Sequence, residues 1–380
     1  MKHIILFSII ISTSIVFGQK TLTAIDKCDV GALEKAIAAG YDINEKFMIP
    51  IDEGADEIEA NLLSYAVHGE CLDAVNYLIE RKDQLTDFDL ILTEAFIYSL
   101  SVGNDEISSV LYAQNPLPKG ICDICHGNNA IMVAATYGRE DWYNKLKDQS
   151  DLSYINHSGA NLVTAASSGS SQAILKDVLQ STKLDLNKKD NEGLTPLDYA
   201  ASNSDNKEAF NTLVKFGADI EKSWNLLYWW TMYPDLELTE DIIKKRKNDV
   251  WMIDEDGDNC LMLLSYFYVD FIEKDKKFEK VLLTIIDIMK EGYENGEGNY
   301  DYVKRLYYNK INVNYLNAML LTDDYTSESP IYPKYLELLS VICEKNDFCP
   351  VYKKEYKKAC KIYGKEVVTD WYTKYSLPMD

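Results

Sequence analysis

A short motif recurs along the chain at a nearly constant interval, and this repeat constrains the fold more than any other feature. The motif is usually Ala-x-x-Gly, with an occasional substitution at either end. Its first positions are Ala66, Leu100, Ala135, Ala166 and Ala201, so the intervals are 34, 35, 31 and 35 residues. Self-similarity at such a period is typical of stacked units, each of which buries apolar surface against its neighbours.

Each unit is predicted to be two short helices joined by a turn. Thr195 and Pro196 predict the start of a first helix, because Thr caps free amides and Pro tolerates the first helical position. The small residues of the motif let neighbouring helices approach closely, and the glycine that follows predicts a left-handed turn. Apolar residues of one second helix recur at helical spacing and are expected to face the stack: Ala74, Val75, Leu78 and Ile79.

One unit is similar in detail to a known repeat family. Residues 190–201 read Asp-Asn-Glu-Gly-Leu-Thr-Pro-Leu-Asp-Tyr-Ala-Ala, which resembles the ankyrin consensus D-x-x-G-x-T-P-L-H-x-A-A with Asp198 in place of His. Residues 216–220 resemble the Gly-Ala-Asp-Val ending of the same family, and residues 41–44 and 184–187 repeat that ending. The resemblance covers roughly residues 20 to 290.

The resemblance implies an all-α ankyrin-repeat solenoid of helix-turn-helix units with a helical C-terminal cap. We expect about seven to eight repeats in residues 19–290, degenerate at the ends and with residues 48–59 as an insertion, and a cap or degenerate repeats in residues 291–380. Acidic, Gly-rich residues 291–302 predict a loop, and the Lys-rich residues 351–372 predict a solvated helix face or a docking patch. The array is expected to be elongated and curved, with little sheet.

Residues 1–18 have the composition of an export signal. Lys2 and His3 provide a positive start, residues 4–17 are mostly apolar, and cleavage after Gly18 would leave Gln19 first. The apolar run is short for a bilayer span, so an uncleaved anchor is the alternative to cleavage. The Phe-Gly-Gln ending is similar to export signals of Bacteroidetes-type bacteria. The mature chain is therefore expected to be periplasmic or secreted, with no membrane span.

The formal charge of the 380-residue chain is −22. Such an excess of negative charge repels nucleic acid and anionic lipid, because both carry dense negative charge themselves. We therefore expect a protein partner, one with a basic surface, and no nucleic acid. The mature chain is expected to be a monomer.

All eight cysteines follow the export signal, and an even number in an oxidising compartment favours disulfides. Cys28 and Cys71 occupy neighbouring columns of adjacent repeats, just after each first helix, so we expect them to bond. Another pair is expected among Cys343, Cys349 and Cys360.

Cys122, Cys125 and His126 match the C-x-x-C-H form of covalent haem attachment. The motif falls where a repeat hairpin is expected, among residues that serve the repeat core. A Cys122–Cys125 disulfide, pairing elsewhere, a haem, and a metal or free thiols all remain open at this point.

Motifs of catalysis are missing from the sequence. There is no phosphate-binding G-x-x-x-x-G-K, no G-x-S-x-G elbow and no H-E-x-x-H. Residues 254–259 cluster carboxylates, but their spacing differs from that of a calcium loop, so they predict an acidic hairpin tip. We therefore predict no enzyme activity, no cofactor and no metal site.

The ankyrin resemblance implies a binding face built from the hairpins and the exposed side of each first helix. The candidates at the ends of the first helices are His68, Tyr137, Ser168 and Asn203. The candidates on the hairpins are Asn191, Glu192, Glu255 and Asp256. The expected function is protein–protein interaction by an exported ankyrin-repeat protein. The alternatives are a periplasmic redox or haem protein that uses Cys122, Cys125 and His126, and a toxin-neutralising protein.

Overall fold

A computed structural model describes nine segments of the chain. They are residues 20–50, 57–117, 120–203, 207–224, 243, 245–251, 276–296, 331–345 and 353–379. The described residues form two compact units. The first contains the residues up to Ala200 and Glu208–Ala218, and the second contains Ala201–Lys207 and the residues from Asp219 onward.

Short helices follow one another in pairs through residues 20–215, as the period predicts. The first helices of the pairs are α1 (20–26), α3 (Leu62–His68), α5 (Phe88–Val102), α7 (Ala130–Thr136), α9 (Leu162–Ser168) and α11 (Pro196–Ser202). The second helices are α2 (Val30–Ala38), α4 (Leu72–Ile79), α6 (Asp105–Tyr112), α8 (Glu140–Leu146), α10 (Gln172–Ser181) and α12 (Lys207–Lys215). The predicted all-α, ankyrin-like helical repeat is confirmed.

Strands in the described residues are confined to two antiparallel hairpins between helix pairs. In the first, β1 (Phe47–Pro50) pairs with β2 (Glu57–Ala60). In the second, β3 (Ile121–Cys122) pairs with β4 (Asn128–Asn129). The described ends of the segment that the sequence analysis interpreted as an insertion, residues 48–59, therefore belong to the first hairpin.

Asparagine caps three of the first helices at the same place in the repeat. The side-chain oxygens of Asn61, Asn129 and Asn161 accept hydrogen bonds from backbone amides three residues later, at 2.9, 3.1 and 3.0 Å. Each bond satisfies an amide that the helix itself leaves free. These asparagines cap the start of their helices, as Thr195 does in the consensus unit.

The consensus unit explains why Asp stands where the family has His. A side-chain oxygen of Asp198 accepts hydrogen bonds from the amide and the hydroxyl of Thr195, both at 2.7 Å. The Thr195 hydroxyl in turn accepts from the Asp198 amide at 3.4 Å. This reciprocal pair is a capping box, and it closes the start of α11 with both residues buried.

The glycine of the repeated motif has two different roles, and the predicted left-handed turn is wrong for two of its positions. Gly103 and Gly138 have φ of 90° and 65°, as the prediction requires. Gly69 and Gly169 have φ of −75° and −83°, which any residue adopts. At Gly169 the requirement is space instead, because an added Cβ would lie 2.2 Å from the backbone oxygen of Ala135 in the preceding repeat.

Polar contacts join neighbouring second helices where the stack meets solvent. The hydroxyl of buried Tyr143 on α8 donates to Asp177 on α10 at 2.8 Å, and Lys147 forms an ion pair with the same carboxylate at 2.7 Å. Burial alone would raise the pKa of Asp177, but the hydrogen bonds from Lys147 and Tyr143 outweigh it and lower the pKa. The carboxylate therefore stays ionised and holds the two repeats together at neutral pH.

The expected disulfide between the first two repeats is present. Cys28 and Cys71 are bonded, with their Cα atoms 5.3 Å apart and a sequence separation of 43. Cys343 is also bonded, to a partner outside the described residues, and Cys360 is a free thiol. Cys349 and Cys260 lie outside the described residues.

The second unit is helical in its described residues and has a separate apolar core. Its helices are α13 (Lys276–Glu294), α14 (Ile331–Lys345), α15 (Lys353–Tyr363) and α16 (Lys365–Lys374). Tyr332 stacks on Tyr363 at 5.3 Å between ring centroids, and its hydroxyl lies 3.1 Å from that of Tyr372. Residues 335–343 lie within α14.

The predicted start of a loop at residue 291 is wrong, because α13 continues to Glu294. The fully buried Tyr293 continues the face of Ile286 and Met289, and this contact keeps the last turn helical despite its acidic residues. The proposed boundary at residue 290 therefore falls inside a helix. In the Lys-rich region, Lys357, Lys358 and Lys361 are exposed, which fits a solvated helix face.

Candidate functional site

The candidates at the ends of the first helices differ in exposure. His68, the last residue of α3, is exposed, and Tyr137, just after α7, is 51% exposed. Ser168 ends α9 half-buried and donates its hydroxyl to the backbone oxygen of Ala165 at 3.0 Å. Asn203 follows α11 and is half-buried. His68 and Tyr137 are therefore the two with substantial side-chain surface for a partner.

The hairpin candidates also separate into different roles. The side-chain amide of Asn191 donates to the backbone oxygen of His157 at 2.9 Å. Its backbone N–H donates to the backbone oxygen of Ser158 at 2.8 Å. It therefore ties its hairpin to the preceding repeat. Glu192 is exposed beside it. Glu255 and Asp256 lie outside the described residues.

Five aromatic side chains line one face of the first unit across successive repeats. Phe47 contacts Tyr65 edge-on at 5.5 Å, Tyr65 lies 6.1 Å from His68, and His68 stacks on Tyr98 at 6.3 Å between ring centroids. Tyr137, from the next repeat, lies near enough to Tyr98 to raise its pKa. We call these five residues the aromatic row, and the surface that carries them, made of the first-helix ends and the hairpins, the first-helix face.

Polar contacts hold the aromatic row in place. Nδ1 of His68 lies 2.8 Å from the hydroxyl of Tyr98, and the hydroxyl of Tyr65 donates to Asp26 at 2.8 Å. Burial and the Asp26 hydrogen bond raise the pKa of Tyr65 to about 12, so this hydroxyl remains protonated at neutral pH. Burial, with a smaller contribution from Tyr137, also raises the pKa of Tyr98.

Sequence reasoning found two members of the row and missed three. Tyr137 and His68 occupy the variable position of the Ala-x-x-Gly step, which points away from the core. Tyr65 comes directly before the Ala-x-x-Gly step of its repeat. Tyr98 lies on the longer helix α5, and Phe47 lies on a hairpin strand. The high tyrosine count of the chain, 27, is the signal that could have pointed to the two missed tyrosines.

The C-x-x-C-H segment does not fit a covalent haem in this structure. A haem attached here would need one bond to each cysteine sulfur, but Cys122 and Cys125 are bonded to each other. Both are buried, at 0% and 8% exposed; Cys122 ends β3 and Cys125 lies in the turn of the second hairpin. His126 has a left-handed φ of 56° at the turn, so it serves the loop geometry. Of the alternatives left open, the structure has the Cys122–Cys125 disulfide.

The described residues contain no group of three or more His, Cys, Asp or Glu side chains placed to hold a metal. Within the same segments, no helix is both long and apolar enough to cross a membrane.

Comparison with known families gives a match in the consensus unit. The model of the ankyrin repeat matches residues 192–225, which include the exposed Glu192 and helices α11 and α12. The search of curated proteins found no match. Ankyrin-repeat proteins are generally scaffolds for protein–protein interaction without enzyme activity. The matched repeat and the successive helix pairs together support an ankyrin-repeat protein.

Proposed function

We propose that this chain is an exported ankyrin-repeat protein whose first-helix face binds a partner protein with a basic surface. The ankyrin repeat and the helix pairs support an interaction module, and the sequence of residues 1–18 supports export. The net charge of −22 supports a basic partner, because opposite charges steer association.

The aromatic row is the observation that carries this proposal. A soluble protein rarely arranges aromatic side chains in series along an exposed face, since exposed apolar area is better buried. Tyrosine buries a large area at small entropic cost when it is bound, which suits a contact surface. The row also follows the direction of the repeats, so a partner that lies along it contacts several repeats at once.

A photo-crosslinking phenylalanine analogue at position 137 tests the binding face. We expect it to capture a discrete partner from an extract of the source cells, whereas the same analogue at Phe216 captures none. Phe216 is a matched control because it is 40% exposed but lies after a second helix.

Affinity measurements with the captured partner complete this test. Tyr137→Ala and His68→Ala are each expected to weaken binding about tenfold, because each removes an exposed aromatic side chain of the row. Phe216→Ala should leave the affinity unchanged, and added salt should weaken the wild-type complex. Unchanged affinity in both row variants would show that the binding face lies elsewhere.

Export is tested on the full-length chain expressed in a bacterial host with an outer membrane. We expect the protein in the periplasm or medium to begin at Gln19, because signal peptidase cleaves after small residues such as Gly18. Mass spectrometry of the intact protein measures this directly. Recovery of the chain in the cytoplasm with residues 1–18 still attached would contradict export.

A further inference from the structure

The third repeat departs from the others in a way that opens a cleft. Its first helix, α5, has 15 residues, whereas α3, α7 and α9 have seven each. The extra turns lie at the start of α5, where neighbouring repeats carry a hairpin strand. Between the two hairpins a cleft of about 1290 Å³ results, with residues from the start of α5 in its lining.

Apolar side chains line this cleft without being covered. Leu90 on α5 is 61% exposed, Leu117 is 41% exposed, and Ile121 on β3 is 37% exposed. Large aliphatic side chains exposed together in a concave site favour a ligand that covers them. A ligand with apolar groups of its own would remove this surface from water.

The same cleft carries an excess of carboxylates. Glu59, Asp87, Glu94 and Asp123 line it, and among its described lining residues Lys46 is the cation. Lys46 forms an ion pair with Glu59 at 2.9 Å, and Nδ1 of His157 lies 4.0 Å from Asp123. In the described part of the chain, no Lys or Arg lies within ion-pair distance of the other three carboxylates. The cleft is therefore electrostatically suited to a cation.

Glu94 is placed by a contact that is special to this repeat. The side-chain amide of Asn61 donates to Oε2 of Glu94 at 2.9 Å. In later repeats the equivalent amides of Asn129 and Asn161 donate to backbone carbonyls, those of Asp151 and Asp185. Among these three asparagines, the acceptor is therefore a carboxylate for Asn61, next to the extended helix α5, and a backbone carbonyl for Asn129 and Asn161. Burial and the nearby Asp123 raise the pKa of Glu94, and together they outweigh the lowering by the Ile124 amide, Lys46 and Asn61.

We propose that this cleft binds an extended segment of the partner protein in which a Lys or Arg side chain is flanked by apolar residues. The basic group meets Glu94, Asp87 and Asp123, and the apolar residues cover Leu90, Leu117 and Ile121. This inference rests on the proposed protein-binding function and names the chemistry that one part of the partner must have. Charge complementarity selects a basic segment over an acidic or a purely apolar one.

Selection from a displayed library of random twelve-residue peptides tests the inference on the full chain. We expect the enriched peptides to share a Lys or Arg next to Leu, Ile, Val or Phe. Their binding should weaken at least tenfold in Glu94→Gln and in Leu90→Ser. Glu94→Gln keeps an oxygen that can accept from Asn61, and Leu90 is largely exposed, so both variants should fold. Glu106→Gln, which changes an exposed carboxylate on α6, should bind as wild type does.

Three results would overturn the inference. They are enrichment of peptides without a basic residue, binding that survives both cleft substitutions in variants with wild-type circular dichroism, and no enrichment at all. If the binding of peptides or captured partners depends on Tyr137 but not on Glu94, the proposed role of the cleft is rejected and the first-helix face remains the proposed binding surface. Loss of the Tyr137 dependence with the Glu94 dependence retained would instead reject the aromatic row and keep the cleft.

Discussion

Replacing Cys28 and Cys71 together with alanine is expected to lower the free energy of unfolding of the first two repeats by about 4 kcal/mol. The bond closes a loop with a sequence separation of 43, and in the chain-entropy model a loop of this length strongly restricts the unfolded chain. Within the described residues the first repeat has one neighbouring repeat, so it is expected to depend on this covalent link more than a repeat with two neighbours would.

Urea unfolding and hydrogen exchange measure this effect. We expect amides of α1 and α2 to exchange much faster in the double variant, while those of α9 and α10 change little. The matched control is Cys122→Ala with Cys125→Ala, whose bond closes a separation of only 3 and should contribute roughly 2 kcal/mol or less. Alkylation of Cys28 in protein that was never reduced would refute the bond itself.

Gly169→Ala is expected to destabilise the interface between the fourth and fifth repeats by about 3 kcal/mol. The added Cβ would lie 2.2 Å from the backbone oxygen of Ala135 and 3.1 Å from that of Thr136. These oxygens belong to the last turn of α7, so relief of the clash requires the two repeats to move apart. Close-packed interiors absorb such a change poorly.

Gly69→Ala is the matched control, because it changes the same position of an earlier repeat. There the nearest atom to the added Cβ is Cγ2 of Ile25 at 3.3 Å, the end of a flexible side chain. We expect a change within about 1 kcal/mol in either direction, since alanine also reduces the freedom of the unfolded chain. Equal urea midpoints for the two variants would contradict the proposed contact at Gly169.

A large loss of stability on removing the Cys28–Cys71 bond or on replacing Gly169 is expected to affect partner binding as well. The aromatic row crosses repeats that must keep their register for Tyr65, His68 and Tyr98 to stack in series. A variant that separates repeats is therefore expected to lose partner affinity without any change in the contact residues. For this reason the binding variants proposed above change exposed side chains and leave the stacking contacts intact.

The repeat period, the helix pairs and the Cys28–Cys71 bond could be predicted from the sequence. All three depend on local properties, namely residue spacing along the chain and the equivalent places of two cysteines in adjacent repeats. The loop expected from residue 291 was wrong at its start, because acidic residues and glycine suggested a loop where α13 continues to Glu294. The contact of Tyr293 with a distant core keeps that segment helical, and this contact is tertiary.

Only the tertiary structure decided where the candidate binding surface lies and why Gly169 is required. The aromatic row joins residues from a hairpin, from the first helices α3 and α5 of successive repeats, and from the position just after α7, which no spacing in the sequence brings together. The cleft exists because α5 starts early and a hairpin strand is missing beside it, so its walls come from neighbouring repeats. The sequence by itself determined that each repeat is a pair of short helices, because local helix propensity and the repeat period are enough to specify it. The packing of one repeat on the next determined the surface that the array presents, because that surface is made of contacts between repeats.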